Sequence, residues 1–118
     1  MRAIESFLTI YLHREPVDFR KQSHGLSLIV EEEMGLSPFG EALFVFASRD
    51  RKKLKILYWD RTGFALWSKR LEKEKFPWPR KFDEATVKVG PRELSWLLDG
   101  YEFWKMKPHE ELRYASVS

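Results

Sequence analysis

The spacing of apolar residues changes along this chain, and each change predicts an element. Phe7, Thr9 and Tyr11 alternate with Leu8, Ile10 and Leu12, a β-rich run apolar on both faces that predicts a buried strand over residues 6–13. Pro16 breaks it. From Phe19 the period lengthens to that of a helix over 19–34: Phe19, Leu26, Ile29, Val30 and Met34 recur on one side, Asp18 is placed to cap the first turn, and Gly35 supplies a stop. Glu31 to Glu33 then fall at the negative pole of the helix, which calls for basic groups elsewhere to answer them.

Three strands follow, near 42–48, 54–60 and 63–71, separated by Arg49 to Lys53 and by Asp60-Arg61-Thr62-Gly63. They predict an antiparallel meander. In the second connection Asp60 can accept backbone N–H groups while Gly63 tolerates positive φ. Pairing symmetric about that turn sets Trp59 opposite Phe64, Leu57 opposite Leu66, Ile56 opposite Trp67 and Lys55 opposite Ser68, whereas a bulge at Gly63 would shift the register by one. Phe76-Pro77-Trp78-Pro79 lacks the N–H groups of a central strand and is expected as an extended connector. Thr86 to Val89 is a short strand candidate. Pro91 opens a second helix over 91–99, with Leu94, Leu97 and Leu98 as its stripe and Gly100 at its end.

The fold expected is a single α+β domain over residues 1–105, an antiparallel β meander of four to five strands packed with two helices. A polar, frayed tail is expected over 106–118. Leu28 or Ile29, Leu43, Val45, Ile56, Leu57 and Leu66 are the expected core. There is no internal repeat and no low-complexity segment.

Composition narrows the class. The chain has 118 residues, 43% hydrophobic and 33% charged, which suits one globular domain and is neither disorder-prone nor membrane-like. With no cysteine, disulfide frameworks, thiolate metal sites and cysteine nucleophiles drop out. The N-terminal residues lack a signal-peptide pattern and no apolar run reaches bilayer length, so a cytoplasmic protein without a membrane partner is expected.

Charge is distributed unevenly. The net charge is +3, yet Arg49 to Lys81 carries 12 Lys and Arg against 4 Asp and Glu. A local field of this kind steers a polyanion, and nucleic acid is the obvious candidate. Symmetric hairpin pairing gathers Lys53, Lys55, Lys69 and Arg70 at the end opposite the Trp59-Asp60 turn, next to Arg49, Arg51 and Lys52. These seven residues are the candidate nucleic-acid contacts. The bland alternative is a solvated hairpin tip and sheet edge.

Other chemistry is thin. The six glycines are scattered singly, so no phosphate-cradling loop exists. His13, His24 and His109 lie far apart and suggest surface or satisfied-core roles. Ser23-His24 with Asp18 has no nucleophile elbow. Asp18 and Asp60 could serve a small metal-dependent nuclease only with a third acid, and Arg20, Lys21 and Arg61 stand beside them to neutralise them. No cofactor and no metal are expected. Most aromatics belong to the core, leaving Tyr58 and Trp78 as the rings considered for an exposed contact.

Asp18-Phe19-Arg20-Lys21 followed by Gly25-Leu26, Leu43-Phe44-Val45-Phe46, Lys55 to Asp60 with Gly63, Lys69 to Glu72, Phe76-Pro77-Trp78-Pro79 and Leu94 to Gly100 occur here in an order that resembles a known family. These are the small accessory proteins, called Orf2 or TnpB, of bacterial insertion sequences of the insertion-sequence-sixty-six family. They are distinct from the RNA-guided nuclease that shares the second name. The resemblance covers roughly residues 12–105. Its most specific parts are Asp18-x-Arg20-Lys21, Trp59-Asp60-x-x-Gly63 and Trp78-Pro79; it departs at Phe19, where Met is usual, and at Gln22, where Gly is common. It implies a non-enzymatic role in transposition beside a transposase encoded by the same element, which carries the catalytic acids. Three readings follow: an accessory protein contacting DNA through the basic hairpin end, an adaptor that binds the transposase alone, and, least supported, the metal-dependent nuclease.

Overall fold

The computed structural model describes residues 9–79 and 82–106. Residues 6–8 of the first expected strand, Arg80 and Lys81 of the basic segment, His109 and the tail beyond Met106 lie outside them.

Five strands form one sheet in the order β4-β3-β2-β1-β5: β1 is Thr9–His13, β2 Ala42–Ala47, β3 Lys53–Asp60, β4 Gly63–Arg70 and β5 Thr86–Val89. The meander expected from the sequence is present in β2, β3 and β4. The sheet as a whole is mixed, because β1 runs parallel to β2, with Ile10 beside Leu43 and Leu12 beside Val45. This corrects the all-antiparallel expectation. Residues 14–41 are long enough to carry the chain back to the starting edge, as a parallel neighbour requires, and helix α1, Ser23–Glu32, lies in that crossover. β5 then pairs antiparallel with the other side of β1.

Both faces of the sheet are covered, which is why β2 reads Leu-Phe-Val-Phe without a polar residue. On one face Val17, Leu26, Ile29 and Val30 pack over Phe44, Phe46 and Leu57, with Tyr11, Phe64 and Leu66 at the margin. On the other, Phe76, Trp78, Phe103 and the stripe Leu94 and Leu97 of helix α2, Pro91–Leu98, cover Ile10, Leu12, Leu43, Val45, Leu54, Ile56 and Tyr58. Ile29, Leu43, Val45, Ile56 and Leu57 are buried as expected. Leu28 points outward at 39% exposure, and Leu66 is only half-buried because β4 is an edge strand.

The β3–β4 register is the symmetric one, with Trp59 opposite Phe64, Leu57 opposite Leu66, Ile56 opposite Trp67 and Lys55 opposite Ser68. No bulge intervenes. The positive φ of this hairpin belongs to Arg61, at 59°, and not to Gly63, since a two-residue loop concentrates the reversal on its first central residue.

Helix α1 starts four residues later than the pattern suggests. Asp18 does not cap it: its carboxylate accepts from the Arg20 N–H at 2.9 Å, a local turn that competes with helix, and Gln22 occupies the cap position. Met34 and Leu36 donate back to the Ile29 and Val30 carbonyls around Gly35 at φ 65°. The acidic end is answered in part by His13, whose Nε2 lies 3.1 Å from the Glu33 carboxylate while Nδ1 faces the Glu15 carbonyl at 2.8 Å. Helix α2 has Pro91 in its first turn, and the Glu93 carboxylate accepts the Gly90 N–H at 2.9 Å. It closes on a Schellman pair around Gly100 at φ 94°, Gly100 N–H to Leu97 and Tyr101 N–H to Trp96.

Candidate nucleic-acid interface

The link between β2 and β3 is held by hydrogen bonds of its own side chains and backbone, and its cations form no ion pair among the described residues. Ser48 Oγ donates to Asp50 Oδ1 at 2.7 Å and accepts the Lys53 N–H at 3.1 Å; the same carboxylate oxygen accepts the Lys52 N–H at 3.0 Å. Arg51 sits at φ 58°, and its N–H donates to the Ser48 carbonyl. The Lys52 backbone N–H, and then the Ser48 hydroxyl, hold the Asp50 carboxyl below its ordinary range. From behind, the segment after β4 and the connector are tied to the same turn: Leu71 N–H donates to the Lys52 carbonyl at 2.8 Å and Phe76 N–H to the Arg51 carbonyl at 2.7 Å. Arg49 is exposed, and Arg51, Lys52 and Lys53 are half-exposed.

The Val17 N–H donates to the Ala47 carbonyl, which brings residues 17–20 alongside this turn. Between them lies an open cleft of about 370 Å³ lined by Asp18, Phe19, Arg20, Arg49, Asp50 and Lys53. Arg20 Nη2 lies 2.6 Å from Asp18 Oδ2, with Nε on the same carboxylate. That paired guanidinium, with Arg49 adding its charge, holds the Asp18 carboxyl well below the usual carboxylate range. Both acids of the cleft are therefore engaged by internal donors. A second basic depression continues past Phe19 and Lys53 to Ser68 and Arg70.

Two of the seven candidate contacts are used by the fold. Lys55 is buried, its Nζ donates to the Phe19 and Lys21 carbonyls at 2.9 Å each, and it lies 4.9 Å from the Phe19 ring centroid. Burial pushes its ammonium below the ordinary lysine range, with Lys53 adding repulsion. Lys69 Nζ donates to the Leu98 carbonyl at 3.0 Å, capping the negative end of α2 on the opposite face of the sheet. The five that remain at the surface are Arg49, Arg51, Lys52, Lys53 and Arg70. Arg20, outside the candidate set, lies beside them with its side chain 91% exposed and its guanidinium paired with Asp18.

The remaining motif residues separate in space. Asp18, Arg20 and Lys21 flank the basic turn, and Lys55 grips the backbone of that block. Trp59, Asp60 and Gly63 stand at the far end of β3, roughly 24 Å away along eight extended residues, which keeps Asp18 and Asp60 from sharing a metal. There Trp59 and Phe64 form an edge-on pair at 5.0 Å, joined by Phe39, which is 55% exposed. Trp78 and Tyr58, considered above for exposed contacts, are buried; Trp78 donates its indole N–H to the Arg14 carbonyl at 2.7 Å, and Pro79 is buried beside it. No group of three potential metal ligands occurs among the described residues, and none of their helices is long and apolar enough to cross a membrane.

The chain is 34% identical over 111 residues to the Sinorhizobium fredii protein named Uncharacterized protein y4jC, covering 94% of each chain. To a second from the same organism, Uncharacterized protein y4hO, it is 35% identical over 100 residues, 85% of this chain and 84% of that one. No solved structure matches. Residues 8–108, which hold the basic turn, the Asp18 block and both covered faces of the sheet, match the family described as IS66 Orf2 like protein, and the chain belongs to that family.

Proposed function

We propose that this protein assists transposition of an insertion sequence by holding DNA along its phosphate backbone at the Ser48–Lys53 turn, beside a separate transposase and without a catalytic residue of its own. The family membership supports the transposition role. The observation that carries the DNA reading is the turn itself, where Asp18 is paired with Arg20 and Asp50 with donors of the turn, while Arg49 and Lys53 face an open cleft and Lys52 stands half-exposed in the same turn. Cations presented in this way position a polyanion without reading its bases.

The test replaces Arg49, Lys52, Lys53 and Arg70 by Gln together, leaving Lys55 and Lys69, and measures duplex DNA binding across a salt series. The wild-type protein binds with affinity that falls steeply with salt, and the variant loses roughly 3 to 4 units of the log–log slope. A wild type without salt-dependent binding, or a variant with an unchanged slope, defeats the reading. The adaptor reading has its own support in the partly exposed Phe39, Trp59 and Phe64 cluster. It predicts that Phe39→Ser with Trp59→Ser abolishes co-purification with the transposase while leaving duplex binding intact.

A further inference from the structure

The basic turn separates two clefts of different chemistry. The first, described above, presents ionic groups around a Phe19 ring already covered by Lys55. The second is an open depression of about 550 Å³ on the connector side, between Arg51, Lys75, Pro77, Tyr101, Glu102 and Trp104. Tyr101 is 53% exposed and Trp104 half-exposed, so aromatic surface is available next to two cations. Trp104 is braced edge-on against Phe103 at 5.0 Å and Phe82 at 6.1 Å, and Tyr101 is fixed by its N–H bond to Trp96 at the end of α2. Glu102 opposes an anion, but its carboxylate lies 2.8 Å from the Lys105 ammonium.

We infer that this second cleft takes the unpaired bases of single-stranded nucleic acid, with Tyr101 and Trp104 as stacking partners and Arg51 and Lys75 on the adjoining phosphates. The inference rests on the reading of the basic turn as a phosphate contact and adds what the turn cannot supply. In a duplex the base faces are already stacked on one another, so an exposed ring beside a cation serves a strand whose bases are free. Continuity favours this occupant over a proline-rich peptide. Arg51 belongs to the same turn as Arg49 and Lys53, so a backbone crossing the turn from the first cleft enters the second with its charge still compensated.

The experiment titrates the protein at one salt concentration with a short oligothymidylate, a short oligouridylate and a duplex, reading tryptophan fluorescence and anisotropy. Quenching by either single strand supports the inference, and the tighter of the two names DNA or RNA as the source. Tyr101→Ser weakens single-strand binding about tenfold or more, Tyr101→Phe restores it, and duplex affinity stays within about twofold in both. Thermal melting of the Ser variant confirms that the fold is kept, Tyr101 being exposed. Trp104→Leu, which removes the stacking ring and keeps apolar bulk against Phe103, is a second variant expected to weaken single-strand binding and leave duplex affinity unchanged. Duplex binding without single-strand binding overturns this inference and leaves the transposition reading standing; binding of neither overturns both. Single-strand binding indifferent to Tyr101 and Trp104, or a proline-rich peptide that competes it away at lower concentration, assigns the cleft otherwise and overturns it too.

Discussion

The two turns that bracket β3 each place an arginine in the left-handed region, Arg51 at φ 58° and Arg61 at φ 59°, and they are supported in opposite ways. The Ser48–Lys53 turn is held by side-chain bonds within itself and by two backbone bonds from behind, one from Leu71 after β4 and one from Phe76 of the connector. The Asp60–Gly63 turn is a minimal two-residue loop between paired strands, next to the Trp59, Phe64 and Phe39 rings. A left-handed non-glycine residue costs about 1 to 2 kcal/mol in either place. One turn offsets that cost with a dedicated network and becomes a fixed platform for cations. The other needs only the register of its hairpin.

The largest separation of the two turns comes from removing the connector's anchor. Phe76→Ala deletes a fully buried ring and loosens the bond to the Arg51 carbonyl; a loss of about 3 to 5 kcal/mol is expected in urea unfolding. Hydrogen exchange should accelerate at Arg51 and Lys53 more than at Thr62, and equal acceleration would show that the turns share one support. Ser48→Ala is expected to cost about 1 to 2 kcal/mol, since it leaves the Lys53 N–H and the Asp50 carboxylate short of a partner, while Thr62→Ala stays within about 0.5 kcal/mol. Comparable losses in thermal melts would erase the distinction.

The smallest effect is in pH. Asp18 and Asp50 both have carboxyls lowered from the ordinary 3.8, so the folded state binds these protons less readily than the unfolded state. Their contribution is complete above the ordinary value and is lost as pH falls below it toward the folded values. Asp18→Asn with Asp50→Asn should flatten the acid limb of a stability profile. A profile that the double variant does not alter would show that neither acid is tied to the folded state.

The β3–β4 hairpin was legible residue for residue, because alternation on both sides of a short turn permits one symmetric pairing. The direction of β1 was not, since a strand apolar on both faces looks the same beside a parallel or an antiparallel neighbour. At the basic end the sequence located the turn and overcounted its free cations. Lys55 and Lys69 read as charges on a hairpin; their use depends on carbonyls of Phe19, Lys21 and Leu98 that only the tertiary fold brings near. Lys55 does carry a local sign of burial, standing between Leu54 and Ile56 as the one charged residue of the run Leu54 to Trp59. Asp18 misled for a different reason, because the same carboxylate that caps helices also closes a tight turn with the residue two positions on. Tyr101 and Trp104 drew no attention because neither sits in a periodic segment, and their cleft forms only where the connector meets the end of α2.

The placement of β1 between β2 and β5 has a kinetic meaning as well. Ile10 is flanked by Leu43 on one side and Val89 on the other, so β1 joins the sheet through the longest loops among the described residues, whereas β2, β3 and β4 close through short ones. Chain entropy opposes the first contacts far more than the second. The basic turn belongs to the part that can assemble early, and β1 arrives late, docking onto a meander that already presents its cations.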